Sequence, residues 1–398
     1  MTAAELLQQL ATYQDEAVAI CRSAGPAYRQ QFHPDISPVG WHLGHCIFTE
    51  SYWIHEMFLA DRACEDSLHE LYNPLHTSKE NRGQALPAVV ALIDWAQETQ
   101  AGNRHALQKY SEHRDAMQLM ENNFLLHFLI QHYAQHLETM QMALAQATKQ
   151  HNSKAETIKP LHSHTDSLET VPIPAGEYDV GGSGNHLPYD NEYPSHTVQL
   201  PGCHIMKNPV NNGTYLRFME CGGYENKEHW STEGWRWQQD NHITHPAYWR
   251  RDKRGQWSAV DHRGPVSLEP LSPVSGLGYY EAEACATWAG GRLPHEHEWE
   301  TACINGLLQK RGLVWEWCHN SFFPYAGFRA YPYEGYSVPY FDGEHFTLKG
   351  GSILTRPVIK RSGFRNYYQA DKNFLFAGIR LAFDEPAGNR QIQIHTTG

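Results

Sequence analysis

His132 and His136 stand four residues apart in Gln131-His132-Tyr133-Ala134-Gln135-His136-Leu137-Glu138. On an α-helix that spacing aims both imidazoles the same way. They belong to a stripe of Leu125, Leu129, His132, His136, Met140 and Ala143 at core-facing spacing. Imidazoles thus occupy places where a bundle would carry leucine, and burying them costs free energy unless something binds them. A metal ion answers that requirement. A second apolar stripe, Trp41, His45, Phe48 and Tyr52, offers a third imidazole. Three neutral nitrogen donors from two helices would leave up to three coordination positions open, which suits Fe(II) oxygen chemistry. A structural zinc is more often closed by four ligands, usually including cysteine. Spacing by itself says little in a chain with 26 histidines, where His42/His45 and His242/His245 also pair at i,i+3. The placement of His45, His132 and His136 on apolar stripes sets them apart.

The neighbours of these residues read in two ways each. Glu138 lies roughly 200° round the helix from His136, so it is either a carboxylate behind the ligands or an outer-face ion pair. His42 falls off the stripe and reads as a surface or packing histidine. Gln135 sits between the two ligands and is either a substrate hydrogen-bonder or a plain helix-surface glutamine.

Residues 1–150 are the elements that must position these side chains. Amphipathic runs near 3–23, 38–62, 85–111 and 115–150, broken by Pro26, Pro34, Pro74 and Pro87, predict an antiparallel four-helix bundle. Residues 151–168 are polar and aperiodic and read as a linker. From Val171 the texture changes to short β-like runs such as His196-Thr197-Val198-Gln199-Leu200, interrupted by Gly, Pro and Asn. Helix-like runs stand out only around 210–220 and 279–289. A second domain of α+β type with little regular structure is expected over 169–390.

Composition narrows the possible partners. The chain has 398 residues, a net charge of −12 and 41% apolar content, ordinary for a water-soluble globular protein. No useful Lys/Arg cluster appears, which disfavours nucleic-acid and anionic-membrane partners. No apolar run approaches the ~20 residues of a membrane helix. The acidic, amphipathic start Met1-Thr2-Ala3-Ala4-Glu5 does not read as a signal peptide. The eight cysteines lack any C-x-x-C and read as reduced thiols of a cytoplasmic protein.

The second half carries Asn208-Pro209-Val210-Asn211-Asn212-Gly213-Thr214-Tyr215, Trp288-Ala289-Gly290-Gly291-Arg292-Leu293-Pro294, Glu298-Trp299-Glu300, Val314-Trp315-Glu316-Trp317, Gly350-Gly351-Ser352 and Gly378-Ile379-Arg380. In this order they resemble the formylglycine-generating-enzyme-like fold, a relative of the C-type lectin fold. Copper-binding cysteines follow the Gly-Gly-Ser string in formylglycine-generating enzymes. Here no cysteine follows Cys318, so that activity is not expected.

Both halves together resemble the ergothioneine sulfoxide synthases, which join a DinB-like helical bundle to such a domain. The family's H-x-x-x-H-x-E string matches His132, His136 and Glu138, and its W-H-L-x-H string matches Trp41-His42-Leu43-Gly44-His45. Further matches are Asp190-Asn191-Glu192-Tyr193-Pro194, Gly234-Trp235-Arg236-Trp237, Tyr280-Glu281-Ala282-Glu283-Ala284 and Phe364-Arg365-Asn366-Tyr367-Tyr368. The resemblance implies Fe(II) as cofactor, small-molecule substrates (hercynine, a thiol such as cysteine, and O2), and formation of a C–S bond and a sulfoxide. It implies Tyr336 as proton donor, and nominates Gln135, Arg82, Asn373, Phe374 and Arg380 for substrate binding. Arg82, in Asn81-Arg82-Gly83, would clamp the donor's carboxylate; its other reading is a solvated loop charge. Phe374, Tyr367 and Tyr368 offer aromatic faces to a quaternary ammonium. Two departures bear on the donor: Ser275-Gly276-Leu277-Gly278 lacks a histidine, and Leu375 cannot bind an amino-acid head group. Alternatives are C–Se bond formation from a selenosugar, use of unmethylated histidine as in ovothiol synthesis, and a non-catalytic lectin-like binding module.

Overall fold

The computed structural model describes residues 1–60, 70–110, 118–150, 158–163, 168–182, 189–261 and 264–385. The expected linker, 151–168, lies mostly outside them. The chain divides into two compact units. The first is Met1–Asn152 with Thr355–Ile359, and the second is Ser153–Leu354 with Lys360–Gly398. The first unit is therefore discontinuous, which a simple two-block reading of the sequence does not anticipate.

Among the described residues, the first unit carries four long helices: α1 (Ala3–Ser23), α2 (Val39–Ser51), α3 (Val89–Tyr110) and α4 (Phe124–Gln150). Thr2 and Glu5 form a reciprocal capping box at the start of α1, satisfying two of its orphan donors. Pro38 precedes the first residue of α2, and past Ser51 the helix widens into a π-type turn over Tyr52–Phe58. Nearly every residue of α2 is buried, so this helix runs through the core rather than along its edge. Close approach is bought by glycine: a Cβ on Gly44 would stand 2.1 Å from the Tyr72 ring.

A buried polar network ties all four helices together. Glu50 of α2 accepts hydrogen bonds from Gln14 Nε2 of α1 at 2.8 and 2.9 Å and from the Tyr133 hydroxyl of α4 at 2.8 Å. That hydroxyl accepts from Gln100 of α3 at 3.2 Å. Arg104 of α3 donates to Gln14, and Asn103 donates to Ser51 at 3.1 Å. Burial pushes the Glu50 carboxyl up to about 7, while its hydrogen-bond donors pull the other way. Satisfied networks of this kind specify a single packing.

Among the described residues, the second unit has twelve short strands and four short α-helices. The strands are β1 (Thr170–Ile173), β2 (Gly176–Val180), β3 (His196–Leu200), β4 (Cys203–Met206), β5 (Trp249–Arg251), β6 (Trp257–Asp261), β7 (Gly264–Val266), β8 (Trp315–Ser321), β9 (His345–Lys349), β10 (Asn366–Gln369), β11 (Ala377–Gly378) and β12 (Ala382–Phe383). They form sheets β1-β4-β12, β10-β9-β8-β11, β2-β3 and β5-β6-β7. Only the β8–β11 pairing is parallel. The helices are α5 (Asn212–Glu220), α6 (Thr232–Asp240), α7 (Tyr279–Trp288) and α8 (Glu296–Ile304). α5 and α7 match the helix-like runs of the sequence. α6 and α8, nine residues each, lie outside those runs.

Buried ion pairs hold this irregular unit. Glu316 pairs with Arg380 and Glu300 with Lys349, all four side chains fully buried. Glu296 pairs with Arg365, and Glu192 with Arg361. Trp299 Nε1 also donates to Glu316 at 2.5 Å. The Glu-Trp-Glu, Trp-Glu-Trp and Gly-Ile-Arg strings thus converge on one charged core. Among the described residues no helix is long and apolar enough to cross a membrane.

Tyr133→Phe should lower the stability of the helical unit by about 1–3 kcal/mol, because Glu50 loses a donor and Gln100 an acceptor inside the core. Urea unfolding followed by far-UV circular dichroism measures this, and an unchanged midpoint would remove the network from the account.

Candidate metal centre

His45 of α2 and His132 and His136 of α4 come together. Each offers a ring nitrogen, and these atoms lie within 4.8 Å of one another. It is the only such group of three or more possible ligands among the described residues. Ring centroids are 5.2 Å apart for His45–His132, 4.9 Å for His45–His136 and 4.5 Å for His132–His136. The three residues are half-buried, yet Nδ1 of His132 is buried without a hydrogen-bond partner. Burial pulls His45 down to about 4, with the Arg82 charge adding to the shift, and His132 and His136 well below the usual imidazole range, with repulsion from the neighbouring imidazoles adding to theirs. All three are therefore neutral at physiological pH, the form in which imidazole binds a metal. An all-nitrogen set with an orphaned ring nitrogen is compatible with one metal ion.

The surroundings fix His45 from two sides. Its Nδ1 donates to the Tyr72 carbonyl at 2.8 Å, which leaves Nε2 as the free lone pair. Gly44 leaves the space that lets Tyr72 pack there. On the other side His45 stacks flat on Trp41, centroids 4.8 Å apart at 7°. The Trp41 indole donates to the Leu71 carbonyl at 2.9 Å, and the Arg82 guanidinium lies 3.8 Å from its ring centroid.

The structure places Arg82 inside the fold. Its residue is only 4% exposed, and it donates to Thr77 O, Ser37 Oγ and Pro74 O at 3.0, 2.7 and 3.0 Å. Burial lowers it to about 10, so it remains a cation. Arg82 braces Trp41 and two loop segments rather than clamping a substrate carboxylate. Arg380 is corrected likewise. Its five N–H groups make five bonds, to Glu316 (two), Met206 O, Lys207 O and Gln309 O, and none is left for a ligand. Phe374 is buried in the second unit, edge-on to Tyr368, where its ring serves packing. Asn373 is half-buried. Gln135 is half-buried on α4, one turn from His132.

Glu138 takes a partner from far along the chain. It is buried and accepts a hydrogen bond from the Thr355 hydroxyl, while Arg356 pairs with Glu16 of α1. Neither contact is visible on a helical wheel, because the chain returns to the bundle more than 200 residues later.

In the second unit, Tyr336 lies in a short 3-10 turn, Glu334–Tyr336. Its ring stacks on Tyr189 with centroids 4.2 Å apart, and its carbonyl accepts from the Tyr367 hydroxyl at 2.6 Å. The next residue, Ser337, donates to Asp190 at 2.5 Å and accepts from Asn191 at 3.1 Å. The Asp-Asn-Glu-Tyr-Pro string is therefore the clamp of the Tyr336 loop.

Comparison with known proteins agrees with this two-part organisation. A family model described as the DinB superfamily matches residues 2–140, and one described as a sulfatase-modifying factor enzyme 1-like domain matches residues 154–311. A hercynine oxygenase of Mycobacterium tuberculosis is 29% identical, with 89% of this chain and 92% of that protein covered. A hercynine oxygenase of Mycolicibacterium smegmatis is 28% identical over 95% of this chain and 98% of its own length. A formylglycine-generating enzyme of Thermomonospora curvata is 31% identical, but only over 35% of this chain and 50% of that protein.

The assignment of Arg380 to the core has a measurable outcome. Arg380→Met leaves Glu316 as a buried charge without its partner and should cost about 3–5 kcal/mol. Thermal unfolding should show the loss. A variant of wild-type stability with a raised substrate KM would restore Arg380 to the substrate site.

Proposed function

We propose that this chain, a member of the ergothioneine-sulfoxide-synthase-like family, uses Fe(II) and dioxygen to join a small thiol such as cysteine to the imidazole of hercynine. The ring C–H and the thiol S–H are lost, one oxygen atom enters the sulfoxide, and the other leaves as water. The observation that carries this reading is the triad of neutral His45, His132 and His136 within 4.8 Å, in a chain whose full-length relatives are named hercynine oxygenases. Fe(II) held there would supply a centre with open positions at which the imidazole, the thiolate and dioxygen meet. The triad favours an enzyme over a lectin-like binding module.

The chain's own residues then supply alignment and a proton. The Tyr72 carbonyl and the Trp41–Arg82 stack hold His45 in one orientation. In this reading Gln135, one turn from His132, and Asn373 are polar contacts of the substrate. Tyr336 is the proton donor in this reading, supported by the clamp that fixes its loop. Arg82 and Arg380 are both committed within the fold, which supports a small donor over a γ-glutamyl dipeptide. The seven cysteines among the described residues are free thiols, as suits the reducing cytoplasm.

The wild-type protein should take up one Fe(II) anaerobically and consume oxygen only when hercynine and a donor are both present. The His132→Ala/His136→Ala double variant should lose iron uptake, and uptake left intact would refute the site. A panel of cysteine, γ-glutamylcysteine and a selenosugar, each with hercynine or histidine, ranks the donors by kcat/KM. A selenosugar or histidine preference would move the assignment to the selenium or ovothiol-type reaction.

Tyr336→Phe should keep iron and hercynine binding but lower C–S product formation by about 10²–10⁴-fold, the range of one general acid, while the thiol is still oxidised. Unchanged products at the wild-type rate would assign the proton to another group.

A further inference from the structure

A fourth histidine approaches the triad without belonging to it. His42, on α2 and buried, has its Nδ1 3.0 Å from Nδ1 of His136. The ring centroids are 5.1 Å apart at 47°. Two imidazole nitrogens at that distance share one hydrogen, so one donates and the other accepts. The direction matters to His136. If His42 donates, neutral His136 carries its hydrogen on Nε2 and presents no lone pair beyond the shared contact. If His136 donates from Nδ1, its Nε2 lone pair is free.

We propose that His42 is a positioning residue for His136: its Nδ1 accepts the Nδ1–H of His136 and so fixes the tautomer in which Nε2 of His136 faces the metal. The inference rests on the metal reading above and adds to it the part that selects the ligand atom. It assigns His42 the role that the Tyr72 carbonyl plays for His45 at 2.8 Å. Metal-bound imidazoles commonly donate their second N–H in this way, and loss of the acceptor weakens metal binding. The alternative, His42 as a fourth ligand, is disfavoured because the nitrogens lying within 4.8 Å of one another come from His45, His132 and His136 alone among the described residues.

Anaerobic Co(II) titration of the full-length protein, read by the d–d absorbance, tests the assignment without turnover. His42→Asn places an amide oxygen near the position of Nδ1, while His42→Phe and His42→Leu remove the acceptor. The expected result is a Co(II) affinity lowered about ten- to a hundred-fold in the Phe and Leu variants, restored to within a few-fold by Asn, with band positions unchanged throughout. Thermal unfolding of the apoproteins identifies which acceptor-free variant folds, and either one suffices. Wild-type affinity in a folded Phe or Leu variant would overturn the proposal. So would an Asn variant as weak as Phe with shifted bands, which would make His42 a ligand. If the wild-type protein itself binds no Co(II), the metal reading fails, and this inference with it.

Discussion

Keeping three imidazoles neutral, inside a bundle, and aimed at one another is the constraint on which the helical unit is organised. Imidazoles drawn into a helix bundle are unstable neighbours: burial disfavours the charged ring, and neighbouring rings repel one another's protonated form. Helices carrying such residues hold their register only if something other than the histidines fixes it. Glu50 and Tyr133 do so. They sit on the same two helices as the triad and recruit Gln14 and Gln100 from the other two. Tyr133 is adjacent to His132, so one residue step on α4 separates a side chain that locks the bundle from one that faces the candidate metal.

The second unit meets a different difficulty. Twelve strands of two to seven residues give few ladder hydrogen bonds, and buried acid–base pairs take over part of the work of specifying the fold. Such pairs contribute little net stability against apolar replacements, but removing one partner is severe. The same residues form the recurrent sequence strings of this half. Those strings therefore report on architecture, and the Tyr336 loop is anchored to one of them through Asp190 and Asn191.

The sequence made the triad legible because a 3.6-residue period turns spacing into direction. His132, His136 and His45 needed only that. The bundle and the texture change after Val171 were legible for similar reasons, as was β3, whose alternation marks His196–Leu200. For His42 an off-stripe position left surface and packing roles both open, and only the burial of α2 nearly all round places it inside. The partners of Arg82 and Arg380 could not be read, because they are a hydroxyl, a carboxylate and backbone carbonyls up to 174 residues away, and such pairings leave no mark in sequence. Glu138 needed knowledge of where Thr355 goes. The short helices α6 and α8 are set by caps at Ser231 and His295 rather than by an apolar period.

Thr355–Ile359 belong to the helical unit although some 200 residues separate them from its last helix. The helical unit is consequently not a detachable module. A fragment ending near residue 152 would keep α1 to α4 but leave the buried Glu138 carboxylate without the Thr355 hydroxyl and Glu16 without Arg356. Synthesis on the ribosome imposes the same gap in time: α4 emerges complete long before its last packing partner exists. Maturation of the helical unit is thereby tied to completion of nearly the whole polypeptide, and a chain truncated within its second half carries an unfinished first one.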